Sequence, residues 1–278
     1  MNIYLMKLKR RFIVNKEWLN KLKEIIYKGE ISKPRNLLIK EILNSHTMVN
    51  MKYPILSVLE RKLGYRFMVR ESWWIMDGRN DVESINAYSR AISSFSDDGF
   101  YFKGAYGPRV VDQLHYIVDS LIDDINTRQA VLTIWRPNPR ASKDIPCTVS
   151  IQWFIRDYTI HCIDTMRSSD IWLGWPYDIF NFTMLTGYIM LLLREKGLHD
   201  LKLGNIYLNA GSQHLYENNF EAAAKVLNNP KSISYQEFNP YEFESPLELK
   251  HYLKALSEKD VTELNKYKSK FGRDILNV

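Results

Sequence analysis

Residues 146–178 read PCTVSIQWFIRDYTIHCIDTMRSSDIWLGWPYD, and this stretch decides the fold. Thr148–Arg156 and Thr159–Met166 are rich in β-branched and aromatic residues. Only Asp157-Tyr158 separates them, which predicts two antiparallel strands joined by a tight turn. An apolar run at roughly 179–195 follows, too long for a strand, and reads as a buried helix. Downstream, a strand is expected near 201–209 and a helix near 215–227. Upstream, Ala130–Arg136 is a third β-rich run.

Farther out the spacing turns helical. Residues 17–28 place Trp18, Leu22, Ile25 and Ile26 on one face, and Pro34 breaks that pattern. Residues 67–78 and 82–95 carry helical spacing on either side of a turn at Asp77-Gly78-Arg79-Asn80. Gly99, Gly104 and Gly107-Pro108 mark a loop before a helix at about 109–126. The tail, 245–278, is charged and helical in pattern, with Ser245-Pro246 at its start. There is no internal repeat and no low-complexity segment. Together these runs predict an α+β fold: one domain over 1–278 on a large, mostly buried mixed sheet flanked by helices.

Composition narrows the class. With 45% hydrophobic residues and 13% aromatics, the chain of 278 residues can bury a sizeable core. No stretch approaches the roughly 18 uninterrupted apolar residues of a membrane span. The most apolar run, Met184–Leu193, contains Thr186, Gly187 and Tyr188 and stops at Arg194. The basic start, MNIYLMKLKRR, lacks the apolar centre and cleavage site of a signal peptide, which predicts a cytoplasmic protein. Net charge +6 suits an anionic ligand. Much of the excess lies in residues 7–40, without the interleaved aromatics of a nucleic-acid stacking platform, so no direct nucleic-acid contact is expected.

Two cysteines, Cys147 and Cys162, cannot build a disulfide scaffold. An isolated cysteine is most often a small buried hydrophobe. Pro146-Cys147 could also open a zinc-deaminase motif, but Ser150 stands where the second cysteine belongs and no HxE precedes it.

The neighbours of Cys147 change its reading. Cys147-Thr-Val-Ser-Ile-Gln152, Met166-Arg167-Ser168-Ser169-Asp170 and Leu173-Gly174-Trp175-Pro176-Tyr177-Asp178 resemble the thymidylate synthase family in order and spacing. Glu71-Ser-Trp-Trp74, Gly104-Ala-Tyr106-Gly107, Thr127-Arg128 and Gly211-Ser-Gln-His214-Leu-Tyr216 also match, so the likeness covers roughly residues 30–230. The tail beyond about 235 does not look like the family's C-terminus, which closes over the folate.

The resemblance implies a homodimeric enzyme that modifies C5 of a pyrimidine nucleoside monophosphate with 5,10-methylenetetrahydrofolate. Cys147 would add to C6 as the thiolate, favoured by Arg167. Glu71 would manage proton transfers at the base, with Tyr106 and Asp178 completing the catalytic set. Arg35, Arg167 and Ser168 would hold phosphate in cis, with Arg128 donated by the partner chain. A second arginine usually follows that one; here it is Gln129, leaving Lys40 or Arg109 to compensate. Gln152, Asp170, His214 and Tyr216 would contact the nucleotide, His214 and Tyr216 at a sugar hydroxyl. Glu71, Trp74, Asp170, Leu173, Gly174 and Tyr177 would line the folate pocket.

Two departures set the expected specificity. Asp178 stands where thymidylate synthases carry Asn, and an ionised carboxylate only accepts hydrogen bonds. Cytosine offers an amino donor where uracil offers a carbonyl. The same Asp marks the family's deoxycytidylate hydroxymethylase branch, which Met166–Asp170 and Thr148 also resemble. The segment Ser89–Ser96 has no tryptophan to shield the one-carbon unit, although Phe95 could serve. Hydroxymethylation of dCMP is therefore expected, as for DNA modification by a phage in its bacterial host. CMP or dUMP as substrate, methylation as outcome, and a nucleic-acid-binding or catalytically retired homologue are the alternatives.

Overall fold

The computed structural model describes residues 13–89 and 91–278, so the first part of the basic stretch 7–40 lies outside the described residues. Its helices are α1 (Ile13–Lys28), α2 (Tyr65–Met76), α3 (Tyr106–Asp123), α4 (Trp175–Glu195), α5 (Phe220–Asn228) and α6 (Pro246–Glu258). Its strands are β1 (Glu30–Ser32), β2 (Ile39–Asn50), β3 (Val131–Thr133), β4 (Thr148–Arg156), β5 (Thr159–Asp170) and β6 (Lys202–Tyr216). They form one mixed sheet in the order β1-β2-β6-β5-β4-β3. Only β5 and β6 run parallel; every other pair is antiparallel.

The hairpin expected between β4 and β5 is present. Asp157 and Tyr158 both adopt positive φ, 48° and 54°, the pair a two-residue turn needs to match the twist of its strands. α4 is apolar on nearly every side because it lies between β5 and β6 below and α2, α3 and α6 above. Gly187 is its point of closest approach: an added Cβ would stand 2.6 Å from the Phe238 ring. α1 buries Val14, Trp18, Leu22 and Ile25 against β2, β6 and α5.

Three expectations are corrected. The helical spacing at 82–95 yields only single turns at Glu83–Asn86 and Ile92–Phe95. Side chains there fold back onto the backbone instead: Asp81 accepts from Ser84 N, and Asp98 accepts from Phe100 N and Tyr101 N. Secondly, β5 and β6 run on past the expected strands, to Asp170 and Tyr216, and the following helix starts only at Phe220. Thirdly, the tail is not one long helix. After α6 the chain turns through Val261–Leu264 and Arg273–Leu276, burying Leu264, Phe271, Ile275 and Leu276.

The tail braces α2. Arg70 on α2 pairs with Glu258 at 3.0 Å, Arg66 Nε donates to Ser257 O at 2.9 Å, and Lys250 pairs with Asp77 at 2.8 Å. Arg273 is buried and donates to the carbonyls of Leu264 and Ser269, tying the last turns together.

Candidate active site

The sheet order brings the marked residues to one end. Thr148 at the start of β4 pairs with Met166 near the end of β5. Asp170 pairs with His214 across β5 and β6, and Tyr216 pairs with Ile39 at the start of β2. Residues scattered over 180 positions thereby form a row: Cys147, Arg167, Ser168, Asp170, His214, Tyr216 and Arg35. Arg35 reaches the Tyr216 hydroxyl with its guanidinium at 3.4 Å. It does so from a left-handed backbone, φ 53°, a conformation that costs a non-glycine residue about 1–2 kcal/mol.

Cys147 is half-buried. The Ser168 hydroxyl lies 3.6 Å from its sulfur and an Arg167 nitrogen 3.7 Å away. Arg167 is also a clamp: Nε donates to Pro146 O, one terminal nitrogen to Ile145 O and the other to Ser168 Oγ, each at 3.0 Å. Its backbone N–H donates to Cys147 O at 2.8 Å. The sequence predicted a guanidinium that favours the thiolate, and Arg167 acts in that direction. Burial pushes the Cys147 thiol above its ordinary range and outweighs Arg167, whose guanidinium is divided among four acceptors. Ser168 and Arg35 favour the thiolate; Asp178 opposes it.

Carboxyl groups gather above the sulfur. Glu71 on α2 accepts from Asn181 Nδ2 at 2.7 Å, and burial pushes its pKa up to about 7. Asp178, in the first turn of α4, is pushed well above the usual carboxylate range by burial and by repulsion from Glu71 and Asp170. Asp170 shapes the loop into α4 by accepting from Trp172 N at 2.7 Å and Leu173 N at 2.9 Å. Its other oxygen is buried without a partner. Burial raises the Asp170 carboxyl and lowers the His214 imidazole, and each partly offsets the shift of the other. Tyr106 accepts from Thr148 N at 3.2 Å through its hydroxyl, and its ring stacks on Phe182. Its own pKa is driven far up, first by burial and then by Asp178 and Cys147.

Other expected residues stand apart. Lys40 is spent on Ile26 O, and Arg109 on Gly104 O and Lys103 O, so neither compensates for Gln129 within this chain. Gln152 lies farther down β4 and donates to Arg128 O. β3 runs antiparallel to β4 with Val131 opposite Gln152, and the chain bends at Arg128 just before that strand. Gln152, which holds the Arg128 carbonyl, lies about five residues, or roughly 16 Å, from Cys147 along β4. Arg128 is exposed there. Phe95 is also exposed (53%).

On the outer side, Leu173 is exposed, while the Tyr177 hydroxyl accepts from Gly64 N at 3.2 Å. Trp74 is packed inward against Phe102 and donates to Asp81 O. Three residues were missed from sequence. Asn181 bridges Glu71 and the Ser72 hydroxyl, and Arg61 grips Trp172 O while lying over the Trp172 ring. Asp164 on β5 is fully buried. Asn181 had a signal, a polar residue one turn after Asp178 in an apolar helix; Arg61 had none.

A family model described as thymidylate synthase matches residues 16–270, wider than the roughly 30–230 that the motifs mark. The chain is 26% identical over 225 residues to the thymidylate synthase of Buchnera aphidicola subsp. Baizongia pistaciae (strain Bp), covering 76% of this chain and 83% of that one. It is 28% identical over 224 residues to the deoxyuridylate hydroxymethyltransferase of Bacillus phage SP01, covering 72% and 56%. It is 31% identical over 191 residues to the deoxyuridylate hydroxymethyltransferase of Pseudomonas phage M6, covering 65% and 51%. The chain thus spans about half the length of the two phage proteins.

Proposed function

The chain belongs to the thymidylate synthase family of one-carbon-transferring enzymes, and on that premise we propose that it hydroxymethylates C5 of dCMP. The observation that carries the proposal is Asp178, a carboxyl group in the position facing the base, held protonated by burial and by two neighbouring acids. A protonated carboxyl has one donor and one acceptor. Facing cytosine, it donates to N3 and accepts from the 4-amino group.

The chemistry follows from these charges. Burial favours the thiol form of Cys147 and the acid form of Asp178. As sulfur bonds to C6, Asp178 passes its proton to N3, which takes up the electron pair displaced from the ring. The thiol gives its proton to solvent water while Arg167 and Ser168 support the sulfur. Glu71, with a pKa of about 7, is matched to removing the C5 proton near neutral pH. Tyr106, held by Thr148, fixes the strand that carries the nucleophile. Arg35, Arg167 and Ser168 hold the phosphate, with Arg128 from the partner subunit of a homodimer, and His214 and Tyr216 meet the sugar.

The family's one-carbon donor, 5,10-methylenetetrahydrofolate, supplies the electrophilic carbon that C5 attacks. The buried, unpartnered Asp170 oxygen and the adjoining Leu173, Gly174 and Tyr177 fit a planar heterocycle bearing N–H donors. With Phe95 turned to solvent, water reaches the one-carbon unit, which favours the hydroxymethyl product.

One observation favours a second reading, the same reaction on dUMP. A neutral Asp178 can also donate to O4 and accept from N3–H, and both phage relatives are named for deoxyuridylate. Incubation with dCMP, dUMP or CMP and the folate, followed by mass spectrometry, separates the readings. Tritium release from C5-labelled dCMP and dUMP, with Cys147→Ser as control, reports base and nucleophile together. Product from dUMP alone would overturn the cytosine assignment.

A further inference from the structure

Asp164 lies on β5 beneath the site, with no exposed surface and no hydrogen-bond partner on either carboxyl oxygen. A carboxyl group so placed is costly, and buried polar atoms in folded proteins almost always find partners. Its packed neighbours in the sheet are Ile151 on β4 and Leu208 on β6, which offer it nothing. Of the groups that act on it, Thr148 and Asp178 belong to the site, and Cys162 lies two residues back on the same strand. Thr148, directly after the nucleophile, is also fully buried with an unpartnered hydroxyl, and it lies near enough to favour the Asp164 carboxylate. Asp178 acts on Asp164 from above and pushes it the other way. Thr148 N in turn donates to Tyr106, whose hydroxyl feels both Asp178 and Cys147.

We propose that Asp164 is a positioning residue for cytosine: as a neutral acid it steadies, through the Thr148 hydroxyl, the carboxylate left on Asp178 when that residue's proton moves to N3. The Asp178 proton is accounted for within the site, and the thiol proton goes to solvent water and returns from it when sulfur leaves C6. Asp178 gives its proton to N3, and Asp164 keeps its own and donates a hydrogen bond to Thr148 Oγ1. The Thr148 hydroxyl donates to the Asp178 carboxylate, and the N3 proton returns to Asp178 when sulfur leaves C6. In the empty site Asp178 is neutral and asks for no donor, which accounts for two buried polar groups standing ready but unpaired. This inference rests on the cytosine reading, because uracil already carries its N3 proton and requires no acid there.

The test compares Asp164→Leu, Asp164→Asn and Thr148→Val with wild type, measuring turnover of dCMP and dUMP against pH together with urea unfolding. Asp164→Leu is expected to unfold no more easily than wild type, since it removes an unpaired buried acid. It should nevertheless lose at least tenfold in kcat on dCMP with little change in KM. Asp164→Asn, which keeps a donor, should stay within about threefold and keep the wild-type pH profile. Thr148→Val should follow Asp164→Leu. Turnover of dUMP should change little. Equal losses on both bases with a loss of stability would mark Asp164 as structural and overturn the proposal, as would unchanged dCMP turnover. Wild-type protein that turns over dUMP but not dCMP would overturn the cytosine reading and this inference with it. An active wild type with an indifferent Asp164→Leu sinks only the inference.

Discussion

Glu71→Gln is the substitution whose effects are best fixed by the structure. The carboxyl sits at about 7 in the fold against an ordinary 4.5, and burial is the first cause. Each pKa unit corresponds to about 1.4 kcal/mol, so the full shift is worth about 3 kcal/mol, or about 2–3 once partial exposure is discounted. For an acid whose folded pKa is raised, the folded state binds the proton more tightly. The cost is therefore absent below pH 4.5, grows as pH rises toward 7, and is fully present above. Glutamine keeps an acceptor for Asn181 and removes the charge. Urea unfolding should show Glu71→Gln more stable than wild type by about 2–3 kcal/mol at about pH 8, and nearly equal to it at about pH 4. Turnover should meanwhile fall by ~10²–10⁴, the usual worth of a general base. A gain that is absent, or equal at both pH values, would refute the electrostatic account of this site.

Other expectations follow from the same geometry. Asp178→Asn keeps a donor and an acceptor but cannot release a proton, so dCMP should bind within a few-fold of wild type while its turnover drops by ~10²–10⁴; equal turnover would remove Asp178 from the chemistry. Iodoacetamide labelling of Cys147 in the empty enzyme should rise with pH through a midpoint above the ordinary 9.0, because burial outweighs Arg167; a midpoint below that value contradicts the reading. Arg128 lies too far along the sheet to serve its own Cys147, so Cys147→Ser and Arg128→Ala subunits, each inactive alone, should regain about a quarter of wild-type activity when refolded as an equal mixture. No recovery there, from mixed dimers confirmed to form, would count against a shared site.

What was legible in the sequence followed local rules. The β4–β5 hairpin announced itself by alternation and a two-residue gap, and α4 by an apolar run of helical length. β2 did not, because its buried half carries Ser45, Thr47 and Val49, and the first two are polar. Thr47 is there to accept from the Trp175 indole at 2.9 Å, a contact across 128 positions that no local pattern encodes. The ends of β5 and β6 were cut short for a related reason. Residues 167–170 and 212–216 are mostly polar, with Leu215 alone in the core, so hydrophobic alternation stops where the functional residues begin. The gathering of Cys147, Arg167, Asp170 and His214 at one end of the sheet was legible through motif spacing. The site's protonation states were not, since they arise from burial and from acids on α2, β5 and α4 that meet only in the fold.

Those protonation states give the site a consistent division of charge. Glu71, Asp164, Asp170 and Asp178 are all pushed upward, and Cys147 with them. The end proposed for the base therefore favours the protonated forms of its acids. The end proposed for the phosphate carries the guanidinium groups of Arg35 and Arg167. An anionic nucleotide is thus drawn in by one end without meeting a wall of carboxylates at the other. Once it is bound, every proton the base requires is already beside it. Four ionised carboxylates in the same volume would repel both the phosphate and the thiolate that must form at Cys147. Burial that looks unfavourable residue by residue, and that leaves the nucleophile less acidic than an exposed cysteine, is what lets the acids act as donors. Generating the thiolate then has to be coupled to binding: the sulfur loses its proton only as C6 becomes electron-poor through protonation at N3. This coupling ties Asp178 to Cys147 more closely than Arg167 alone could, and it makes base recognition and nucleophile activation the same event.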